Sequence, residues 1–280
     1  MAENTRGKVN FAIANAYDGL EIVHADYKDQ EFSKHVHEGY TIGVIEKGAQ
    51  RFYRSGEVHV ADTNSIILVN AEDVHTGKSA SSEGWQYRAM YPLPEHFENV
   101  CRDVHGGKAF APYFSSSVIN DQILTEQLRL LFNQVDNCAS KLLTETILYS
   151  IMLGLTLRHS SLRNIPKDIS GRKENLIRVK EYIDCYPSED ISLEQLANIA
   201  GLSQFHFIRQ FKKMFELAPH GYQIQSRLKK AKTLLKVGVK PALVATDCGF
   251  HDQSHFTRHF KKALGATPSQ FQKQAVLYNN

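Results

Sequence analysis

Three histidines and two arginines carry the most distinctive chemistry in this 280-residue sequence. His35-Val36-His37 puts two imidazoles on one face of an extended segment, because alternate residues of a strand point the same way. His75 follows Asn70-Ala71-Glu72-Asp73-Val74 at the end of a later strand. Two strand histidines and a third can hold a metal with carboxylate help, or hydrogen-bond a small molecule in a pocket. Arg209 and Arg258 sit at equivalent places in two stretches that repeat one another, AGLSQFHFIRQFKKMF at 200–215 and CGFHDQSHFTRHFKKAL at 248–264. Both read small residue, glycine, apolar residue, a polar stretch, then His-Phe-x-Arg-x-Phe-Lys-Lys.

The elements that must position the arginines are helices. A helix, a tight turn at glycine and a second, basic helix make the helix-turn-helix design. Ser192 is a good N-cap for a helix over 193–200, with Gln195 completing a capping box. Gly201 ends that helix and Ser203 caps the next, over 204–215. After Pro219 a long helix runs to Gly238. The unit then recurs as a short helix at 241–248, a stop at Gly249, and a helix opened by Asp252 or Gln253 that ends at Leu264. Phe207, Phe211 and Phe215 recur every four positions and face inward, which leaves Gln204, Phe205, Ile208, Arg209 and Lys212 outward. In the second unit Phe256 and Phe260 face inward, leaving Gln253, Ser254, Thr257, Arg258 and Lys261 outward. A second helix of this kind lies in the major groove, where arginine can hold guanine O6 and N7 with two hydrogen bonds. Lys212, Lys213, Lys261 and Lys262 suit phosphate contacts. Residues 172–280 hold 17 Lys+Arg against 9 Asp+Glu, a net of +8, while the front of the chain is net −5. A basic third behind an acidic front fits an anion-binding module on a differently employed domain.

The histidines require strands. Short apolar-rich runs at 11–14, 20–25, 40–46, 50–53, 57–61, 65–69 and 85–91 alternate with turn signals, which predicts an antiparallel sandwich or barrel. From about Asn120 the period becomes helical, over 121–135 and 141–157, and the second of these helices is apolar nearly all round. Residues 160–172 read as a linker. The expected class is therefore α+β. A barrel at 1–115 is followed by a helical dimerisation segment at 116–160, a linker at 161–173 and an all-α domain of two helix-turn-helix units at 174–275. Hydrophobic content of 42% with 22% charged is a globular balance. The apolar stretch at 147–157 is too short to span a bilayer, and no secretory signal is expected from the first residues. Cys101, Cys138, Cys185 and Cys248 form no CxxC pair, which argues against a thiolate zinc site or disulfide scaffold and for a reducing, cytoplasmic setting.

Residues 174–275 resemble the DNA-binding domain of AraC/XylS-type bacterial transcription regulators. The resemblance is carried by Ile199-Ala200-Gly201-Leu202-Ser203, by Pro219…Tyr222…Arg227…Ala231…Leu234-Leu235, by Gly249-Phe250…Asp252-Gln253-Ser254-His255-Phe256…Arg258…Phe260-Lys261, and by Gly265-Ala266-Thr267-Pro268…Phe271. It implies two helix-turn-helix units joined by a long helix, reading adjacent major-groove segments. The base-facing residues it implies are Phe205, Ile208 and Arg209, then Gln253, Ser254, Thr257 and Arg258. Apolar Phe205 and Ile208 depart from the polar residues frequent there, so thymine-methyl contacts and Gln204 are expected to support Arg209.

The stretch from Phe32 to Tyr91 looks like the cupin-type effector domain of the same regulators. Its HxH motif and Gly48 fit a cupin, but Thr41 or Ile42 stands where the motif's Glu is expected. His35, His37, Tyr40, Arg51, His75, Trp85 and Tyr87 are then the candidate effector contacts, with Tyr91 beside them. No resident cofactor is expected, and His35, His37 and His75 are kept as the ligands if a metal is held. The function so implied is a promoter-binding regulator under small-molecule control. The alternative is a metal-dependent cupin enzyme with a DNA-binding tail. Expected partners are double-stranded promoter DNA, a small-molecule effector, a second copy of the chain and RNA polymerase, with no membrane.

Overall fold

The computed structural model describes residues 8–14, 19–104, 110–136, 141–161 and 171–277. Contacts divide the chain into two compact units, 1–163 with 277–280, and 164–276. Among its described residues, the first unit opens with nine strands: β1 (Lys8–Ala14), β2 (Leu20–Tyr27), β3 (Glu31–His35), β4 (Thr41–Gly48), β5 (Gln50–Arg54), β6 (Glu57–Ala61), β7 (Ile66–Val69), β8 (His75–Ser79) and β9 (Trp85–Tyr91). They are followed by α1 (Pro94–Val104), β10 (Val118–Ile119), α2 (Gln122–Asp136) and α3 (Lys141–His159). The strands form a six-stranded sheet in the order β1-β2-β9-β4-β7-β10 and a four-stranded sheet β3-β8-β5-β6, with every pairing antiparallel.

Seven of these strands coincide with the apolar runs of the sequence. β3, β8, β10 and α1 do not, because β8 (HTGKS) and most of β3 (EFSKH) offer no apolar alternation to read. Two expectations about the histidines change as a result. His75 opens β8 instead of closing an earlier strand, and β3 stops at His35, so His37 lies in the segment just beyond it.

Alternation gives the six-stranded sheet two distinct faces. Leu20, Ile22, Ile42, Val44, Ile66, Leu68 and Met90 point to one side and are buried with Phe97 and Val100 of α1, Leu124, Leu128, Leu131 and Phe132 of α2, and Ile151 and Leu155 of α3. The helical segment thus shares one core with the sheet. Glu46 of β4 ties the edge of that contact by accepting from Arg88 of β9 at 2.6 Å and Arg129 of α2 at 2.8 Å. Ile123 and Leu130 of α2 and Leu143 and Leu157 of α3 remain exposed.

The expected linker at 161–173 falls mostly on 162–170, outside the described residues, and the first helix of the second unit begins at Gly171, three residues before the expected boundary. The described residues of that unit form helices alone: α4 (Gly171–Cys185), α5 (Leu193–Ala200), α6 (Gln204–Phe215), α7 (Pro219–Lys236), α8 (Pro241–Asp247), α9 (Gln253–Leu264) and α10 (Pro268–Leu277). The Ser192 capping box is present, Ser203 and Asp252 cap α6 and α9, and Gly201 ends α5 in the left-handed conformation. Among the described residues, Cys101, Cys185 and Cys248 are free thiols, and no helix is long and apolar enough to cross a membrane. Cys138 lies outside the described residues.

Candidate functional site

The face of the six-stranded sheet opposite the helices carries the aromatic residues. On β9, Trp85, Tyr87 and Tyr91 alternate with Arg88 and Met90, which serve the helix side. Tyr27 of β2 stacks near Trp85 at 5.0 Å and Phe32 of β3 at 5.2 Å, and Phe32 reaches His35 at 5.9 Å. Tyr91 lies 5.0 Å from His37, and its hydroxyl is 3.4 Å from that of Tyr87. Burial keeps Tyr27, Tyr87 and Tyr91 protonated by raising each pKa above the usual phenol value. The Trp85 Nε1–H is buried without a hydrogen-bond acceptor.

Three imidazoles close this wall. His35 pairs directly across the β3–β8 ladder with His75, their ring centroids 4.3 Å apart, and His37 lies 4.9 Å from His35 and 5.0 Å from His75. His35 Nδ1 donates to Ser33 O at 2.7 Å, and His75 Nδ1 donates to Asp73 O at 3.0 Å, since a carbonyl oxygen can only accept. Burial lowers the His35 pKa to about 4, and burial followed by the neighbouring His35 holds His75 well below its ordinary value. Both rings are neutral at pH 7. His35, His37, His75, Trp85 and Tyr87 therefore come together with Tyr91.

Tyr40 and Arg51 do not join them. Tyr40 shares its strand parity with Ile42 and Val44, so its ring packs between Phe97 and Phe114, and its hydroxyl donates to Pro112 O at 2.6 Å on the helix side. Arg51 points outward from β5 and is exposed. The arginine that matters is Arg54, three residues on and fully buried, which sequence reasoning passed over. Its Nε and Nη2 donate to Asp73 at 3.1 and 3.0 Å, Nη1 to Leu68 O and Ser117 Oγ, and Nη2 also to Phe114 O at 2.6 Å. Asn70 bonds Asp73 and Phe114 as well. This network fixes the loop that presents His75. Its one sequence signal was Asn70 and Asp73 beside a strand histidine.

In the second unit Phe207, Phe211, Phe256 and Phe260 are buried, whereas Phe215 is only half-buried. Gln204, Ile208, Arg209 and Lys212 are exposed on α6, and Gln253, Ser254, Arg258 and Lys261 on α9, with Thr257 half-buried. Phe205 lies on α6, but its side chain is outside the description. Within it, the two helix-turn-helix units are joined through α7. Gln223 and Arg227 donate to Pro187 O and Glu189 O, and Lys230 donates to Ser188 Oγ and Asp247 O. Asp184 of α4 accepts from Tyr222 and Ser226 of α7. Polar Gln223, Ser226 and Arg227, at i, i+3 and i+4 on one helix face, were the signal available in the sequence.

A family model for the AraC-like ligand binding domain matches residues 19–152, and one for a helix-turn-helix domain matches 196–274. The chain belongs to the AraC/XylS family of transcription regulators. It is 29% identical over 226 residues to the HTH-type transcriptional regulator YbfI of Bacillus subtilis, covering 81% of this chain and 82% of that one. It is 24% identical over 253 residues to the transcriptional activator RhaS of Escherichia fergusonii, covering 86% and 88%. Its fold is similar to that of ToxT from Vibrio cholerae, with a TM-score of 0.57 at 13% identity over 97% of this chain and 99% of that one. A further ToxT structure, with unsaturated fatty acid bound, matches at a TM-score of 0.56 and 16% identity over 98% of both chains. As an AraC-family regulator, the chain pairs an N-terminal ligand-binding domain with a C-terminal DNA-binding domain.

Proposed function

We propose that this AraC-family protein is a cytoplasmic, dimeric regulator that holds a small molecule against the aromatic and imidazole wall and reads promoter DNA with α6 and α9. The observation that carries the DNA assignment is the equivalence of the two helices. Each is capped at its first turn and presents an exposed arginine followed by exposed lysines. Arg209 and Arg258 act as base readers, and Lys212 and Lys261 as phosphate anchors. The barrel is read as a sensor and not as a catalyst, and RNA polymerase is the partner through which promoter binding acts. Because a ligand shifts an equilibrium only by its differential affinity, the effector must favour one arrangement of the chain over another.

The test is quantitative footprinting on the neighbouring promoter. Arg258→Ala is expected to lose about 1–3 kcal/mol of discrimination at one base pair. Lys261→Ala is expected to weaken all sequences alike and to flatten the salt slope by about 1. Unchanged operator selectivity in Arg258→Ala would remove α9 from the groove.

Dimerisation is assigned to the exposed apolar residues of α2 and α3. Leu130→Glu is expected to give monomers of unchanged thermal stability in sedimentation. Leu128→Glu instead unfolds the unit, because Leu128 is fully buried against the sheet. A Leu130→Glu dimer as tight as wild type would place the interface elsewhere.

A further inference from the structure

We propose that His35, His37 and His75 form an open three-imidazole site for a divalent transition metal, and that the effector's oxygen takes the remaining coordination position. The proposal deepens the sensor reading and rests on it for the effector; the metal site itself rests on geometry. Among the described residues, these three make the one group whose ligand atoms lie close enough to share an ion, all within 4.8 Å of one another.

Orientation adds a second, independent observation. His35 and His75 each spend Nδ1–H on a backbone carbonyl. In a neutral ring that leaves the proton off Nε2, whose lone pair is the ligating position. Such outer hydrogen bonds are what fix tautomer and ring angle in histidine metal sites. Tetrahedral binding at about 2.0–2.1 Å per nitrogen places ligand atoms about 3.3 Å apart, so the set contracts by no more than about 1.5 Å on loading. His37 lies beyond the end of β3 and is only half-buried, so it is the ring best able to swing inward.

The surroundings select a cation over an anion. Among the described residues of this unit, Arg54 is the buried arginine or lysine, and its donors are engaged by Asp73, Leu68 O, Ser116 O, Ser117 Oγ and Phe114 O. It offers nothing to a carboxylate in the wall. Three neutral nitrogens suit zinc, copper, nickel, cobalt or iron over magnesium or calcium, which take oxygen ligands. They also leave the ion's double charge uncompensated, and the open position then favours an anionic or phenolic oxygen. The aromatic chain from Tyr91 through Tyr87 and Tyr27 to Trp85 would flank a flat or apolar body attached to that oxygen, with the Trp85 N–H as a spare donor.

The experiment uses the untagged full chain, stripped with a chelator and titrated with Co2+. One ion per chain with visible ligand-field bands is expected, displaced by Zn2+ and insensitive to Mg2+. His37→Ala should lose at least tenfold in Co2+ affinity while its apo melting curve stays that of wild type. A variant carrying His251→Gln, His255→Gln and His259→Gln should keep the bands, which separates this site from histidines of the DNA-binding unit. Pulsed electron paramagnetic resonance of the Cu2+-loaded wild type counts coordinated imidazoles without any substitution, and three are expected. No stoichiometric binding, wild-type affinity in His37→Ala, or fewer than three imidazoles would overturn the site. Metal binding by a chain that fails to footprint its promoter would sink the regulator reading and leave the site standing. Promoter control that survives without metal would overturn the effector's place on the ion and leave the regulator reading standing.

Discussion

Replacing Arg54 with leucine is expected to destabilise the N-terminal unit by about 3–5 kcal/mol, because it leaves Asp73 and several buried carbonyls without their donor. The guanidinium side chain is 1% exposed and the Asp73 carboxylate 23% exposed, so water cannot replace the lost hydrogen bonds at Leu68 O and Phe114 O. Lysine does not rescue it, since one ammonium cannot span acceptors on β7, the 70–73 loop and the segment before β10. The measurement is urea unfolding followed by fluorescence of Trp85, the sole tryptophan of the chain, which lies buried in this unit. Arg54→Leu combined with Asp73→Leu should be less damaging than Arg54→Leu alone, because the uncompensated carboxylate goes with the arginine. A shift below about 1 kcal/mol in the single variant would mean that the network is not what holds the loop. Because Asp73 O also receives the His75 proton, the same substitution should weaken ligand binding in whatever protein stays folded.

The second large effect is expected at Gly249, with Gly201 as its internal control. Both glycines end the first helix of a helix-turn-helix unit with positive φ, 64° at Gly201 and 74° at Gly249. Alanine at either costs about 1–2 kcal/mol for the left-handed backbone. The two differ in what a Cβ would meet. At Gly201 the nearest atom is Asn175 Nδ2 at 3.7 Å, an ordinary contact, whereas at Gly249 it is Ser188 O at 2.4 Å, a backbone atom that has to move. Ser188 lies in the stretch from Pro187 to Glu189 that receives Gln223, Arg227 and Lys230, so displacing it disturbs the joint between the two units. Gly201→Ala should therefore leave a folded, DNA-binding domain of reduced stability. Gly249→Ala should lose a further 1–3 kcal/mol or so, the usual cost of overpacking, and most of its operator affinity. Calorimetry of the two variants side by side checks this, and equal losses would show that the close approach to Ser188 is easily relieved.

Much of the DNA-binding unit was legible in the sequence. α5, α6, α8 and α9 fall within one residue of where caps and spacing put them, because Ser192, Gln195, Ser203, Asp252 and the two glycines act on backbone groups at most four residues away. α10 was less so, since its cap at Thr267 precedes a helix with no clear apolar stripe.

The sequence by itself determined the order of the two modules, the repeated helix pair, the two arginines and the pairing of an HxH with a later histidine. The caps, the helix faces and the HxH within them are local patterns of period two, three or four. Only the tertiary structure decided which side chains share the wall. Tyr40 was excluded by parity with Ile42 and Val44 once helices covered that face, and Arg51 gave way to Arg54 once β5 was seen to turn its even-numbered residues inward. His35 and His75 meet because β3 and β8 pair in one register, a contact between residues 40 apart with no apolar alternation to announce it. The tautomers that make them ligands follow from carbonyls at Ser33 and Asp73, and a backbone carbonyl's direction is set by the fold and not by the identity of the residue that carries it.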